Sequence, residues 1–524
     1  MKLAASGRSR IIVTDIAAPG TISSSPREDL GQRYWRAALD SVLRGGGSLV
    51  IGGLVPMLLA RFLGPHDFGI YAIITGLTAL VASLFHMGQN SALHKLLPQY
   101  YVSDRVRGGA ILANVLTLTF VVAAIVCLTF LAGAPMVAAK IYHDPTLTNF
   151  FRFCAVLIFV LTLLNLASSV AAGVQDFKAY NSAMLVRSLL LIVLACIGAS
   201  FWGLWGALAS QLLAGGTSLL WLVRRVSNTA RERFPHLIRP DFSGESWRVI
   251  GAFMLPAFVI TLLNAPCYWW ANTLVARVHG FAQAGLFSAA YGLAQLISLA
   301  PFNFYVPALT FLTEAHASED QERFNELVRR SLRGIWFLTL PIALGCALFS
   351  PVLIELFYGG KYLAAAPAAF LMSLAGLFMA IVGLLNAILA AAGKIWSGCA
   401  ITLGWAIIFA SGAGLLIPRW GAIGAAITFG VSYVLYFFLL GGYLHFFLGV
   451  KLHTMGRPAL LTVGSYLLAM ILPAVFSGLT LFLAALILLA LISLVGVFWV
   501  CDETERRACE TGIARCKQLA WSWK

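Results

Sequence analysis

Two arginines stand inside long apolar stretches, where a permanent charge is costly. Arg44 lies early in the first run beyond Asp40, beside Gly45, Gly46 and Gly47, and Arg187 lies early in the fifth run. An ionisable residue inside a membrane span commonly marks a ligand path. The guanidinium fork also matches phosphate oxygens two at a time. The competing role is an anchor that snorkels to lipid phosphates at the helix end, and the sequence leaves both open. Arg152, at the start of the fourth run, reads as an end anchor.

The acids are placed the opposite way. The chain has 21 carboxylates, and none falls in the middle of an apolar run; Asp40, Glu314 and Glu355 stand at run ends. An ion-coupled exporter of cationic compounds needs a carboxylate within the membrane to hold cation and substrate, so the pattern counts against that chemistry. Uncharged polar groups do enter the runs. Asn264, Tyr268 and Asn272 step by four and share a helix face, with Trp269 and Trp270 beside them. His86, Gln89 and Asn90 close the second run, and Tyr291, Gln295 and Asn303 follow in the eighth, which Pro301 and Pro307 interrupt. Such faces either bind a hydroxyl-rich ligand or serve as interhelical hydrogen bonds and an interfacial aromatic belt. A cavity lining is expected for the Asn264/Tyr268 face, and His86 is expected to bond a neighbouring helix rather than carry a proton.

Catalytic constellations are missing from the sequence. There is no paired-carboxylate pattern, no Gly-rich loop ending in Lys-Ser/Thr and no HExxH, and loops expected to run about 5–15 residues cannot house a catalytic domain. The expectation is a non-enzyme that needs neither cofactor nor metal. The nine cysteines are scattered, and Cys501, Cys509 and Cys516 in the tail are too far apart for a zinc knuckle.

The elements that position these residues follow from composition. Of 524 residues, 60% are hydrophobic and only 11% charged, with a mean hydropathy of +0.87. A soluble domain carries roughly a quarter charged residues, so the chain is a polytopic membrane protein. About 20 apolar residues cross a bilayer as a helix, and the runs predict about fourteen spans, from 41–60 to 479–500. The leader has no apolar core suited to a cleavable signal. With the leader inside, 28 of the 36 Lys and Arg residues fall in inner segments and 5 in outer loops, which places both termini in the cytoplasm. The net charge of +15 therefore records topology and does not point to nucleic acid.

The chain also repeats itself. RFLGPHDFGIYA, from Arg61, aligns with RVHGFAQAGLFSAA, from Arg277, at an offset of 216 that also pairs Gly64 with Gly280, Gly69 with Gly285, Tyr71 with Phe287 and Tyr142 with Tyr358. The same offset pairs Lys178 with Lys394 and Tyr180 with Trp396, and becomes 218 near Gly206 and Gly424. Six spans per copy restore the original direction, so the expectation is two parallel six-helix repeats related about the membrane normal, plus a C-terminal helix pair. The expected division is a disordered leader at 1–40, bundles at 41–223 and 249–442, a linker at 224–248, the helix pair within 443–500 and a tail at 501–524. Gly64, Gly69, Gly280 and Gly285 are expected to shape tight outer turns, and Arg61 and Arg277 to anchor helix ends.

The first of these motifs, together with LFYGGKYLAAAP at Leu356–Pro367 and the helix count, resembles the polysaccharide transporter or O-antigen flippase group of the MATE-like superfamily over roughly residues 35–500. The resemblance implies a transporter that moves an undecaprenyl-pyrophosphate-linked oligosaccharide from the cytoplasmic to the periplasmic leaflet of a bacterial inner membrane. In that setting Arg44 and Arg187 would meet the pyrophosphate, while Asn90, Asn264, Tyr268, Tyr291 and Gln295 would meet sugar. Lipid-linked oligosaccharide and membrane lipids are the implied partners, with a polysaccharide polymerase and export machinery beyond them. A MATE-type small-molecule antiporter and a polytopic glycan polymerase or ligase are the alternatives. A polyprenyl tail must stay in lipid, so a lateral opening is expected between helices 1 and 8, the former thinned by Gly45, Gly46, Gly47, Gly52 and Gly53.

Overall fold

A computed structural model describes residues 30–234, 244–317, 321–450, 456–476 and 478–495. The α-helices among them are α1 (Leu30–Ser103), α2 (Arg105–Met136), α3 (Thr148–Gly173), α4 (Phe177–Arg233), α5 (Gly244–His279), α6 (Phe281–Ala317), α7 (Gln321–Leu348), α8 (Ser350–Tyr358), α9 (Ala366–Ala391), α10 (Ile395–Leu448), α11 (Gly456–Val475) and α12 (Gly478–Val495). Helix α1 begins ahead of Asp40, and the linker narrows to the stretch between Arg233 and Gly244. The tail cysteines lie outside the described residues.

Helices α1, α4 and α10 contain 74, 57 and 54 residues, far more than one crossing of a hydrocarbon core about 30 Å thick requires. Each is broken at one glycine with positive φ: Gly64 (75°), Gly203 (54°) and Gly421 (53°). Residues eight apart stand about 12 Å apart along a continuous helix. A Cβ on Gly206 would instead lie 1.9 Å from the Gly198 carbonyl oxygen, and one on Gly424 would lie 2.3 Å from that of Leu416. The chain therefore doubles back at Gly203 and Gly421, and the two legs touch backbone to backbone. Asp104 starts α2 by accepting from the amides of Val106 and Arg107, and Asp176 starts α4 by accepting from that of Ala179.

The helix bounds repeat. Arg105 and Gln321 open α2 and α7 at an offset of 216, whereas α3 and α9, the starts of α4 and α10, and Gly203 and Gly421 all correspond at 218. His143 and Gly359, both with positive φ, still match at 216. The extra residues thus sit in the short 3-10 segments that follow, Pro145–Leu147 in the first copy and Gly360–Ala365 in the second. This corrects two sequence pairings: Lys394 corresponds to Asp176 and Trp396 to Lys178, because the insertion precedes that turn rather than following it.

Burial separates the peripheral helices from the central ones. In its most apolar stretch α2 is 17% buried and α9 72%, so α2 spends its apolar surface on lipid while α9 fills the middle of the second lobe. Helix α11 is tied to that lobe by Trp336 Nε1 donating to Thr462 Oγ1 at 2.8 Å and by a 3.0 Å bond between Ser373 and Tyr466.

Among the described residues, the core shared by the two lobes lies toward one end. The half of the first lobe that holds Gly64 shares a continuous core with the second lobe, including Phe68, Ile74, Phe151, Leu208, Phe287 and Leu293. The half nearer the basic segments has a separate core of Leu93, Ile111, Val115, Leu164, Leu222 and Phe234, with no second-lobe member.

The contact that closes the other end involves Gly69 and Gly285. A Cβ on Gly69 would lie 2.0 Å from the Phe281 carbonyl oxygen, and one on Gly285 would lie 2.0 Å from that of Pro65. The two halves of the contact exchange under the 216-residue offset. Both glycines lie within helices, so the expectation that they shape turns is corrected; their place in the sequence suits backbone contact between repeats, while Gly64 and Gly280 take the turn positions with φ of 75° and 86°. Gly69→Ala and Gly285→Ala should each lower thermal stability in detergent by about 1–3 kcal/mol through overpacking. Their effects should be non-additive in the double variant, because one separation of the helices relieves both clashes. Additive losses would show that the glycines do not share a contact.

Candidate functional site

Arg187 lies ten residues into α4, which begins at Phe177, about 15 Å from the helix start. Its Nε atom is buried without a hydrogen-bond partner, and its side chain is only partly exposed. It interacts electrostatically with the Tyr71 hydroxyl, which accepts a 2.8 Å hydrogen bond from Gln211 Nε2. A guanidinium is thus held nearly three turns into α4 beside a phenol that bonds an amide, with no ion-paired carboxylate among the described residues. Such a group attracts a multivalent oxyanion and repels a cation. Tyr71 had only its place in the repeat to recommend it, and Gln211 was overlooked. The available signal was an amide in the apolar first half of the second leg of α4, ahead of its basic end.

A second polar group lies on α5 and α6. The rings of Tyr268 and Tyr291 stack at 4.1 Å between centroids, Tyr268 donates to Ser288 Oγ at 3.3 Å, and Gln295 Nε2 donates to the Tyr291 hydroxyl at 2.9 Å. Gln295 is exposed, whereas its neighbours Leu293, Ala294 and Ile297 are buried, so it reaches into open space. Asn264 is half-buried one turn from Tyr268. The ring of Tyr268 faces the first lobe at Gly76, where a Cβ would approach Cε1 to 3.3 Å. The structure therefore brings Tyr268, Tyr291 and Gln295 together. It leaves Arg187 in a separate group, with the second leg of α1 carrying both Tyr71 and Gly76. The side chains of Arg44, Asn90, His86, Gln89 and Asn303 lie outside the described residues.

The loop-motif arginines have unlike surroundings. Arg61 donates across the lobes to the backbone carbonyls of Leu356 and Phe357, at the end of α8, where a cation complements the helix dipole. Arg277 is exposed at the end of α5. Further bonds join the lobes at this end: Tyr142 to Thr273 Oγ1 at 2.9 Å and the Tyr362 hydroxyl to the Ala60 carbonyl at 3.0 Å. Together with the Gly69/Gly285 contact they latch this end shut.

Asn272, fully buried, has neither amide atom bonded. An unpaired buried amide costs about 1–3 kcal/mol, so Asn272→Leu should raise the thermal midpoint or leave it unchanged. A marked drop, measured by thermal unfolding in detergent, would mean that the amide is satisfied in the folded protein.

Comparison with known proteins follows this geometry. The profile of a family described as "Polysaccharide biosynthesis protein" matches residues 58–367. The EPS I polysaccharide export inner membrane protein EpsE of Ralstonia solanacearum is 24% identical over 409 residues, covering 75% of this chain and 90% of that protein. Among solved structures, the lipid II flippase MurJ in an inward closed conformation aligns with a TM-score of 0.68 at 14% identity, over 87% of this chain and 97% of that one. An inward-facing multidrug resistance MATE transporter of the MOP superfamily aligns with a TM-score of 0.62 at 16% identity, over 80% and 95%. At such identities the likeness carries the fold alone, an all-helical MATE-like bundle. The chain belongs to the polysaccharide biosynthesis protein family, whose matched segment runs from the first repeat's loop motif through the second's.

Proposed function

We propose that this protein is a flippase that carries an undecaprenyl-pyrophosphate-linked oligosaccharide across the bacterial inner membrane by alternating access, supplying surface or exopolysaccharide synthesis. The observation that carries the reading is Arg187, a largely buried cation within an apolar helix that interacts electrostatically with the phenol of Tyr71 and has no ion pair with an acid among the described residues. A drug antiporter of the same fold needs the reverse arrangement, with acid in the span. The family and the polysaccharide-export relative support the substrate class.

In this reading the basic end faces the cytoplasm with both termini, following the excess of Lys and Arg there, and the lobes part toward it to admit substrate. The pyrophosphate enters from that side and meets Arg187, with Arg44 on the first leg of α1 as a second cation. Sugars pass along Tyr268, Tyr291, Gln295 and Asn264, with Asn90 as a further sugar contact. Transfer then requires the latch of Arg61, Tyr142 and Tyr362 to release while the basic end closes.

The lipid tail stays in the bilayer, since withdrawing each methylene from an apolar environment costs about 0.8 kcal/mol. The headgroup must therefore slide through a seam. The first leg of α1 and helix α6 form one such seam, where a Cβ on Gly53 would approach a Leu296 methyl to 3.2 Å.

In vesicles loaded with a fluorescent lipid-linked glycan, Arg187→Ala should slow flipping at least about tenfold, as expected for loss of a charge-assisted contact. Arg187→Lys should keep part of the rate, since the charge remains while the fork is lost. Full activity of the alanine variant would sink the proposal for Arg187. Repeating the assay with and without ion gradients separates a coupled from a potential-driven flippase. Cysteines at Gly53 and Leu296, joined by a bifunctional reagent, should arrest flipping reversibly. Undiminished transport with the crosslink complete would place the portal elsewhere.

A further inference from the structure

A cavity of about 740 Å³ lies on the outer side of the first lobe, away from the interlobe space, lined among others by Asp176, Leu220, Trp221, Arg224, Arg225 and Asn228. Five of these six belong to one stripe of α4, at spacings of three and four residues. The opposite stripe, Ser218, Leu222, Val226 and Ala230, is buried, and its apolar members belong to the first lobe's separate core. The cavity therefore opens to the surroundings of the bundle. Leu220 and Trp221 are 60% and 49% exposed, so the apolar end of the stripe faces lipid.

The stripe changes character along its length. From Leu220 to Asn228 is eight residues, about 12 Å, and over that distance the side chains pass from aliphatic and aromatic to cationic and then to amide. This is the order of a phospholipid read from acyl chain to headgroup. Arg224 and Arg225 are both exposed, with no side-chain hydrogen bond or ion pair among the described residues. Asp176, on the far wall, already accepts from the Ala179 amide at the start of α4. Two guanidinium groups and one carboxylate leave a single net positive charge. That matches one phosphodiester, with Asp176 left to accept from a headgroup hydroxyl.

We propose that this cavity is a binding site for an anionic glycerophospholipid of the leaflet at the basic end. The Arg224 and Arg225 guanidinium groups grip its phosphodiester, Trp221 lies at the glycerol level and Leu220 meets the acyl chains. The site is separate from the ligand path through Arg187, and it stands or falls without the flippase reading. Its occupancy would brace α4 against the α3–α4 turn, where Gln175 holds a φ of 58°.

The test is native mass spectrometry of the full chain released from nanodiscs that mix phosphatidylglycerol with phosphatidylcholine. The wild type should retain phosphatidylglycerol in preference to phosphatidylcholine, and added salt should weaken the preference. Arg224→Ala/Arg225→Ala should lower the preference about tenfold, whereas Arg105→Ala, an exposed arginine at the same end, should leave it unchanged. Asn228→Asp gives an independent reading if the double variant folds poorly, since the added carboxylate should repel the phosphodiester and lower retention severalfold. Equal retention by the wild type and a folded variant overturns the proposal. So does displacement of the lipid by millimolar inorganic phosphate, which would make this a site for a free anion.

Discussion

The architecture depends on two backbones touching where no side chain can stand between them. At Gly69 and Gly285 the helices of the two repeats come so close that even a methyl group would overlap a carbonyl oxygen of the partner. Because the contact exchanges with itself under the repeat, one glycine cannot relieve it alone; both copies must keep the residue. Close approach then draws in the groups around it. Phe281 packs on Tyr142 and His66, Arg61 reaches the carbonyls that end α8, and Tyr362 reaches Ala60. A shared core forms at this end of the lobes, and separate cores remain at the other.

That asymmetry gives the charges their setting. A cation buried like Arg187 is tolerable when it borders polar groups rather than hydrocarbon. The phenol of Tyr71 and the amide of Gln211 hold a polar environment around it without cancelling its charge. Across the second leg of α1, the stacked pair Tyr268 and Tyr291 offers a flat aromatic face with amide and hydroxyl groups at its rim. A cationic group on one lobe and an aromatic, uncharged group on the other suit a ligand whose ends differ in the same way.

Several features were legible in the amino-acid string because they are written in composition and order. Hydrophobic runs long enough to cross a bilayer declare themselves without any partner, and the excess of basic residues at alternate loops does too. The duplication was visible at Arg61 and Arg277, since both copies keep the same turn glycine. Other readings went astray where local sequence has no access to depth or register. Gly69 and Gly285 looked like turn residues because they follow turn residues. Lys178 and Lys394 looked equivalent because a two-residue difference in the preceding 3-10 segments leaves no mark on residue type.

What the sequence determined by itself was the solvent each segment requires: apolar spans for lipid, basic loops for one face, no acid within the spans, and a twofold-repeated order of helices. These follow from transfer free energies that act residue by residue. Only the tertiary structure decided which polar groups meet. Tyr71 and Gln211 stand 140 residues apart, and Arg61 is 295 residues from Leu356. Such pairs are set by how helices cross and how deeply each begins, and a crossing is fixed by packing between distant surfaces, which no single stretch of sequence contains.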